Sequence, residues 1–167
     1  LKVRTITKME TLSTFLAKPL QQALWKYLGN FPCFDLTSRT FDLSNVYDLQ
    51  KREELLFGSR DADFVSGDYA AATDGLDINR TFQVLEEICA CIDPEDSSLI
   101  PHFWEVLREQ ILVYPKSAEI SPLLQENGQL MGSVLSFPIL CILNLFTYVQ
   151  SLPEAIRQQV LAGRFPL

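Results

Sequence analysis

Apolar positions set the outline of this chain. From Thr11, the residues Leu12, Phe15, Leu16, Leu20, Ala23, Leu24, Tyr27 and Leu28 recur every three or four positions, which predicts a helix with one buried face. Pro19 predicts a break or kink near its middle, and Gly29-Asn30 predicts its end. Ahead of it, Leu1 to Lys8 alternates, predicting an extended strand with Lys2, Arg4 and Lys8 on one face and Val3 and Thr5 on the other. Phe31 to Asp42 reads as an irregular or short-stranded surface loop. Ser44 is a candidate N-cap for a helix through Tyr47, Leu49 and Leu55 to Gly58. Arg60, Asp61 and Asp63 form a polar connector into Phe64 to Tyr69, a short buried strand ending on the Asp68 carboxylate.

Downstream, Asp77 is placed to cap a helix through Phe82, Leu85, Ile88 and Ile92, and Ser98 to cap one through Phe103, Val106 and Leu107. Ile111 to Tyr114 and Ile120 to Leu124 flank Pro115 to Glu119 as a hairpin. The chain then reaches Q-E-N-G-Q-L-M-G-S-V-L-S-F-P-I-L-C-I-L-N, residues 125–144, a glycine-punctuated loop running into an apolar helix. Ser136 is expected to cap that helix, with Pro138 tolerated in the first turn. Ser133, Ser136 and Asn144 stand where a plain core helix would carry no polar side chain. Two readings fit: a loop and helix N-terminus that receive a nucleotide, or a buried helix with a tight preceding turn. Pro153 opens a last helix, which Gly163 ends. Without repeats or low-complexity tracts, these elements give one α+β domain.

Composition narrows the picture. A chain of 167 residues with 47% hydrophobic content can bury a real core. It opens at Leu1 and ends at Leu167 without a polar tail, and the expectation is a piece of a longer polypeptide with no signal peptide. The net charge of −7 argues against a non-specific nucleic-acid coat. That charge is uneven: Lys2, Arg4, Lys8, Lys18 and Lys26 face Glu10 alone in the first 28 residues, leaving a basic front on an acidic body. Cys33, Cys89, Cys91 and Cys141 are expected to be reduced and mostly buried, since Cys89 and Cys91 point apart on a helix. His102, the single histidine, has no partner spacing for a triad or a zinc site and reads as structural. Residues 127–153 hold no charge, yet Ser133, Ser136, Pro138, Asn144 and Thr147 and the lack of flanking bases favour a buried helix over a membrane span.

Three stretches in order, K-V-R-T-I-T-K, S-G-D-Y-A-A-A-T-D-G-L and N-G-Q-L-M-G-S-V-L-S-F-P-I-L-C-I-L-N, resemble fingers motif F and palm motifs A and B of viral RNA-dependent RNA polymerases. The likeness is to ourmia-like (botourmiavirus) enzymes, relatives of narnaviruses, and it spans nearly the whole chain. It implies a fingers and palm fragment of a right-hand polymerase, with helices packed on a small incomplete antiparallel sheet. Residues 1–62 would form the fingers portion with motif F, and residues 63–167 the palm portion with motifs A and B.

The resemblance also assigns roles. Such enzymes add nucleoside triphosphates to an RNA 3′ end along an RNA template, with two divalent ions, Mg²⁺ or Mn²⁺, on the attacking and leaving oxygens. Asp68 would be the catalytic metal-binding aspartate, joined by the backbone carbonyl of Tyr69. Hard oxygen donors suit magnesium, although Asp68 would also serve as an ordinary loop carboxylate. Asp74 would recognise the ribose 2′-hydroxyl, or cap the helix that follows. Gly128 and Gly132 would give the motif B loop its freedom, and Ser133 and Ser136 would offer hydroxyls to the nucleotide or to Asp74. Asn144 sits one helical turn beyond the asparagine of many relatives, where this chain has Leu140, and Val134 stands where relatives commonly carry proline. Lys2, Arg4 and Lys8 would grip the triphosphate.

Motif C, a Gly-Asp-Asp hairpin, is absent, and no D-D pair occurs in the chain, so the expectation is that these residues do not polymerise alone. Expected partners are RNA template, primer or product strand and nucleoside triphosphates, in the host cytoplasm or an organelle, with no stable membrane span. A reverse transcriptase shares the Asp and the G-S-x-L-S loop but normally guards the ribose pocket with an aromatic residue, and Ala70, Ala71 and Ala72 provide none. A non-catalytic integrated viral remnant or interaction module is the alternative from another class.

Overall fold

The computed structural model describes residues 6–34, 37, 40, 42–58, 67–92, 95, 98–108 and 110–162. The first helix, α1, runs Thr11–Leu28. The Glu10 carboxylate caps it by accepting the Ser13 N–H at 2.7 Å. That bond, the largest influence on the group, holds the Glu10 carboxyl below its ordinary range. The break expected at Pro19 does not occur: Ala17, Leu20, Leu24 and Leu28 are buried on both sides of it, and this continuous apolar face holds the helix together. Helix α2 spans Leu43–Phe57. Its cap is Asp42 rather than Ser44, because the Asp42 carboxylate accepts the Ser44 N–H while Asn45 Oδ1 accepts the Asp42 N–H, a reciprocal capping box. Gly58 closes it in the left-handed region at φ 72°.

Helix α3 runs Ile78–Ile92, and as expected Asp77 caps it, accepting the Arg80 N–H at 2.9 Å. The short α4, Leu99–Trp104, follows Ser98 and buries Phe103. The predicted hairpin forms with only two residues per strand, β1 at Ile111–Leu112 and β2 at Leu123–Leu124, antiparallel with Ile111 opposite Leu124. Helix α5 runs Ser136–Ser151 and α6 runs Glu154–Leu161 after Pro153. The stop expected at Gly163 lies outside the described residues.

Helices make the core. Ala17, Leu20 and Leu24 of α1, Leu85 and Cys89 of α3, Phe103 of α4, Leu135, and Ile139 and Leu143 of α5 form one cluster with Val106 and Leu107. Trp25 stacks on Phe137 at 5.3 Å, and Phe82 meets Trp104 edge-on at 4.8 Å. Each fully buried aliphatic side chain contributes roughly 1.5–3 kcal/mol. The chain is helix-rich α+β, but the expectation of helices packed on a sheet is corrected. The strands lend nothing to the core cluster, and Ile111, Leu123 and Leu124 are exposed, since two-residue strands are too short to present a face. Of the strand expected at 64–69, residues 64–66 lie outside the described residues, and Gly67, Asp68 and Tyr69 are irregular and exposed.

Among the described residues no helix is long and apolar enough to cross a membrane. Only Cys89 is buried; Cys141 is intermediate, while Cys33 and Cys91 are exposed, so the expectation of mostly buried thiols fails. Cys91 lies two positions from Cys89 on α3, which turns it off the buried face. His102 lies on α4 with its ring 5.4 Å from that of Phe103.

Candidate nucleotide site

The stretch resembling motif A is a chain of turns that delivers the backbone to α3. Asp68 is exposed and its carboxylate accepts no hydrogen bond among the described residues. The Asp74 N–H donates to the Ala71 carbonyl at 3.1 Å. Ala71 stands at φ 104°, a backbone region in which a Cβ is strained. Asp74 is exposed and accepts only a long contact of 3.4 Å from the Thr73 hydroxyl. It does not cap α3; that position belongs to Asp77.

The motif B loop is fixed from two sides. Gln125, buried, donates through Nε2 to the Leu107 carbonyl at 3.0 Å and to the Gly128 carbonyl at 2.8 Å, while its own N–H extends the hairpin to the Gln110 carbonyl. Gly128 has φ 69°, and a Cβ there would lie 2.5 Å from the Asp74 carbonyl oxygen and 2.9 Å from the Asp74 Cα. Glycine is therefore required twice, by conformation and by the approach of the Asp74 backbone. The next residue, Gln129, donates its N–H to the Thr73 carbonyl at 2.9 Å. The turn at 71–77 and the loop at 125–133 are thus in backbone contact.

Gly132 brings in the third stretch. A Cβ there would run into the Thr7 carbonyl and come within 3.2 Å of the Met9 side chain, so the N-terminal segment passes directly over this glycine. A small hollow of about 410 Å³ opens beside it, lined by Met9, Thr11, Thr14, Phe15, Lys18 and Gly132. Lys8 is exposed next to Thr7; Lys2 and Arg4 lie outside the described residues.

The polar residues of the loop and helix have distinct placements. Ser133 is buried and its hydroxyl has no partner among the described residues. Ser136 is not the cap expected: it is the first residue of α5, and its hydroxyl donates to the Leu130 carbonyl at 3.0 Å, pinning the preceding turn. Asn144 reaches the stretch resembling motif A, where its Oδ1 accepts the Tyr69 hydroxyl at 2.9 Å. Residue-level reasoning passed over Gln129 and Thr81, which hydrogen-bond to each other deep beneath this junction. The available signal was an uncharged amide in the same polar-in-apolar loop that singled out Ser133.

Asp68 and the Tyr69 carbonyl are hard oxygen donors of the kind magnesium takes. Among the described residues, however, no group of three His, Cys, Asp or Glu gathers to hold a metal, so the donor set here is partial. A second hollow, about 1110 Å³ between α1, α3 and α5, is mainly apolar and contains none of these residues.

No protein-family model matches the chain, and no solved structure matches it. Against curated proteins, it is 34% identical over 155 residues to the RNA-dependent RNA polymerase of Ourmia melon virus (isolate Melon/Iran/VE9), covering 86% of this chain. The chain spans 18% of the length of that relative. By this relationship the chain belongs with the RNA-dependent RNA polymerases of ourmia-like viruses.

Proposed function

We propose that the chain forms part of the nucleotide-adding centre of an RNA-directed RNA polymerase of a positive-strand virus, with residues 1–62 contributing fingers and 63–167 contributing palm. The reading is supported by one observation above all: the Thr7 carbonyl over Gly132 and the Asp74 backbone against Gly128 bring stretches resembling motifs F, A and B to one loop.

In this reading the substrates are nucleoside triphosphates and an RNA template with its primer or product strand, in the host cytoplasm or an organelle. Lys8, with Lys2 and Arg4, neutralises the triphosphate as it approaches. Asp74 accepts the ribose 2′-hydroxyl proton, which separates an RNA precursor from a DNA precursor. Ser133 offers its hydroxyl from beneath, and Gly128 and Gly132 let the backbone approach without a side chain intervening. Asp68 and the Tyr69 carbonyl would hold one side of a Mg²⁺ or Mn²⁺ ion, which when bound stabilises charge on the reacting oxygens. Further carboxylates for a complete pair of metal sites would come from motif C in the parent polypeptide.

The test is RNA synthesis by the full-length polymerase. Asp68→Asn is expected to abolish primer extension on an RNA template while leaving the thermal transition in place. Extension at the wild-type rate by that variant would overturn the assignment.

A further inference from the structure

We infer that Gln129 and Thr81 form a buried strut that sets the position of the Asp74 turn against the Ser133 loop, and through it the selection of ribonucleotides over 2′-deoxyribonucleotides. The inference rests on the polymerase reading above and deepens it by naming two positioning residues.

Gln129 is 2% exposed and Thr81 is fully buried. Gln129 Nε2 donates to Thr81 Oγ1 at 3.0 Å, and Thr81 Oγ1 in turn donates to the Asp77 carbonyl at 3.0 Å. The Gln129 N–H holds the Thr73 carbonyl at 2.9 Å. Residues 73–77 are therefore held at one end by the Gln129 backbone and at the other by the Thr81 hydroxyl on which the Gln129 side chain rests, with Asp74 between the two grips. Asp74 itself is exposed and weakly tethered, so the direction of its carboxylate follows from where that turn is held.

The amide is not at this position for stability alone. Gln129 Oε1 is buried without a partner among the described residues, and an apolar side chain of similar volume would avoid that penalty. A half-satisfied buried amide with its donor on a helix hydroxyl fixes geometry. Since Gln129 lies four residues before Ser133, the same strut fixes the loop that presents the Ser133 hydroxyl.

The test uses the full-length polymerase and single-nucleotide addition, comparing kcat/KM for a ribonucleoside triphosphate with that for its 2′-deoxy analogue. Thr81→Val keeps the side-chain shape and removes both hydrogen bonds; it is expected to lower ribose selectivity by roughly three- to tenfold, the worth of one or two such bonds. Thr81→Ser is expected to retain selectivity. Leu85→Ala, one turn along the same buried face, is expected to lower the Tm without changing the ratio. Should Thr81→Val fail to fold, Gln129→Met, which keeps volume and drops the amide, carries the same readout.

Unchanged selectivity in the strut variants, or an equal loss in Leu85→Ala, would overturn the proposal. Failure of the underlying reading has a different signature: Asp74→Ala would then keep full ribose selectivity. If Asp74→Ala loses it and Thr81→Val does not, the strut is wrong and the site assignment stands.

Discussion

The phenol of Tyr69 donates to Asn144 Oδ1 at 2.9 Å, joining the residue after the candidate catalytic aspartate to the middle of α5 across 75 positions of sequence. Both residues are exposed, so the bond competes with water and contributes little to folding. Its consequence is positional: it ties the irregular segment bearing Asp68 to a rigid helix. Tyr69→Phe and Asn144→Leu should each lower stability by less than about 1 kcal/mol, and a double-mutant cycle should give a coupling in the same range. In the full-length polymerase, either change should raise KM for the incoming nucleotide more than it lowers kcat. Additive effects on KM would show that the pair does not act as a unit.

Gly128 and Gly58 allow a controlled comparison of what a glycine does. Their φ values are 69° and 72°, but a Cβ on Gly58 meets open space, whereas one on Gly128 meets the Asp74 backbone. Gly58→Ala therefore costs only the left-handed strain, about 1–2 kcal/mol. Gly128→Ala adds a backbone collision that no side-chain rotation relieves, and should destabilise by a further 1–3 kcal/mol, as overpacking typically does. Urea denaturation of the two variants measures the difference. Equal losses would show that the Asp74 turn moves aside freely, contrary to a close-packed junction.

Ala71 occupies φ 104° in the turn between Asp68 and Asp74. Glycine adopts that backbone readily, so Ala71→Gly should relieve local strain, offset in part by the greater freedom of the unfolded chain. The net expectation is a gain of roughly 0.5–1 kcal/mol, since the strain avoided, about 1–3 kcal/mol, exceeds the added backbone entropy. The site should then position substrate less well, with KM rising although Tm rises too. A lower Tm would show that the surroundings do not impose this conformation.

How much of this was legible in the sequence depends on the range of the interaction that decides each feature. Helices α1 and α3 follow from local apolar spacing and α5 from its uncharged apolar run, and the Asp77 cap follows from one side chain three residues from the N–H it accepts. The choice of Asp42 over Ser44 could not be read, because both are good caps and the outcome turns on whether Asn45 reaches back to complete the box. The helix runs on through Pro19 without a break because the loss of one backbone bond is local, while burial of Ala17 and Leu20 on either side is tertiary. At the site, residue types in motif order marked Asp74, Gly128 and Gly132. The pairing of Gln129 with Thr81 spans 48 positions, and no spacing rule reaches that far.

The two least exposed thiols give a pH dependence of determined sign. Burial pushes Cys89 and Cys141 above the ordinary thiol value of 9.0, because the thiolate is poorly solvated there. Between that ordinary value and the raised folded value, the unfolded chain has released these protons and the folded chain has not. Stability contributed by keeping them protonated is thus complete below pH 9 and declines as pH rises through the folded values. The midpoint of chemical denaturation should fall above pH 9, and Cys141→Ala should remove part of that decline. At pH 8 a thiol reagent should modify exposed Cys91 rapidly and buried Cys89 only on unfolding. Modification of Cys89 at the Cys91 rate in the folded chain would contradict the packing of α3 against α5.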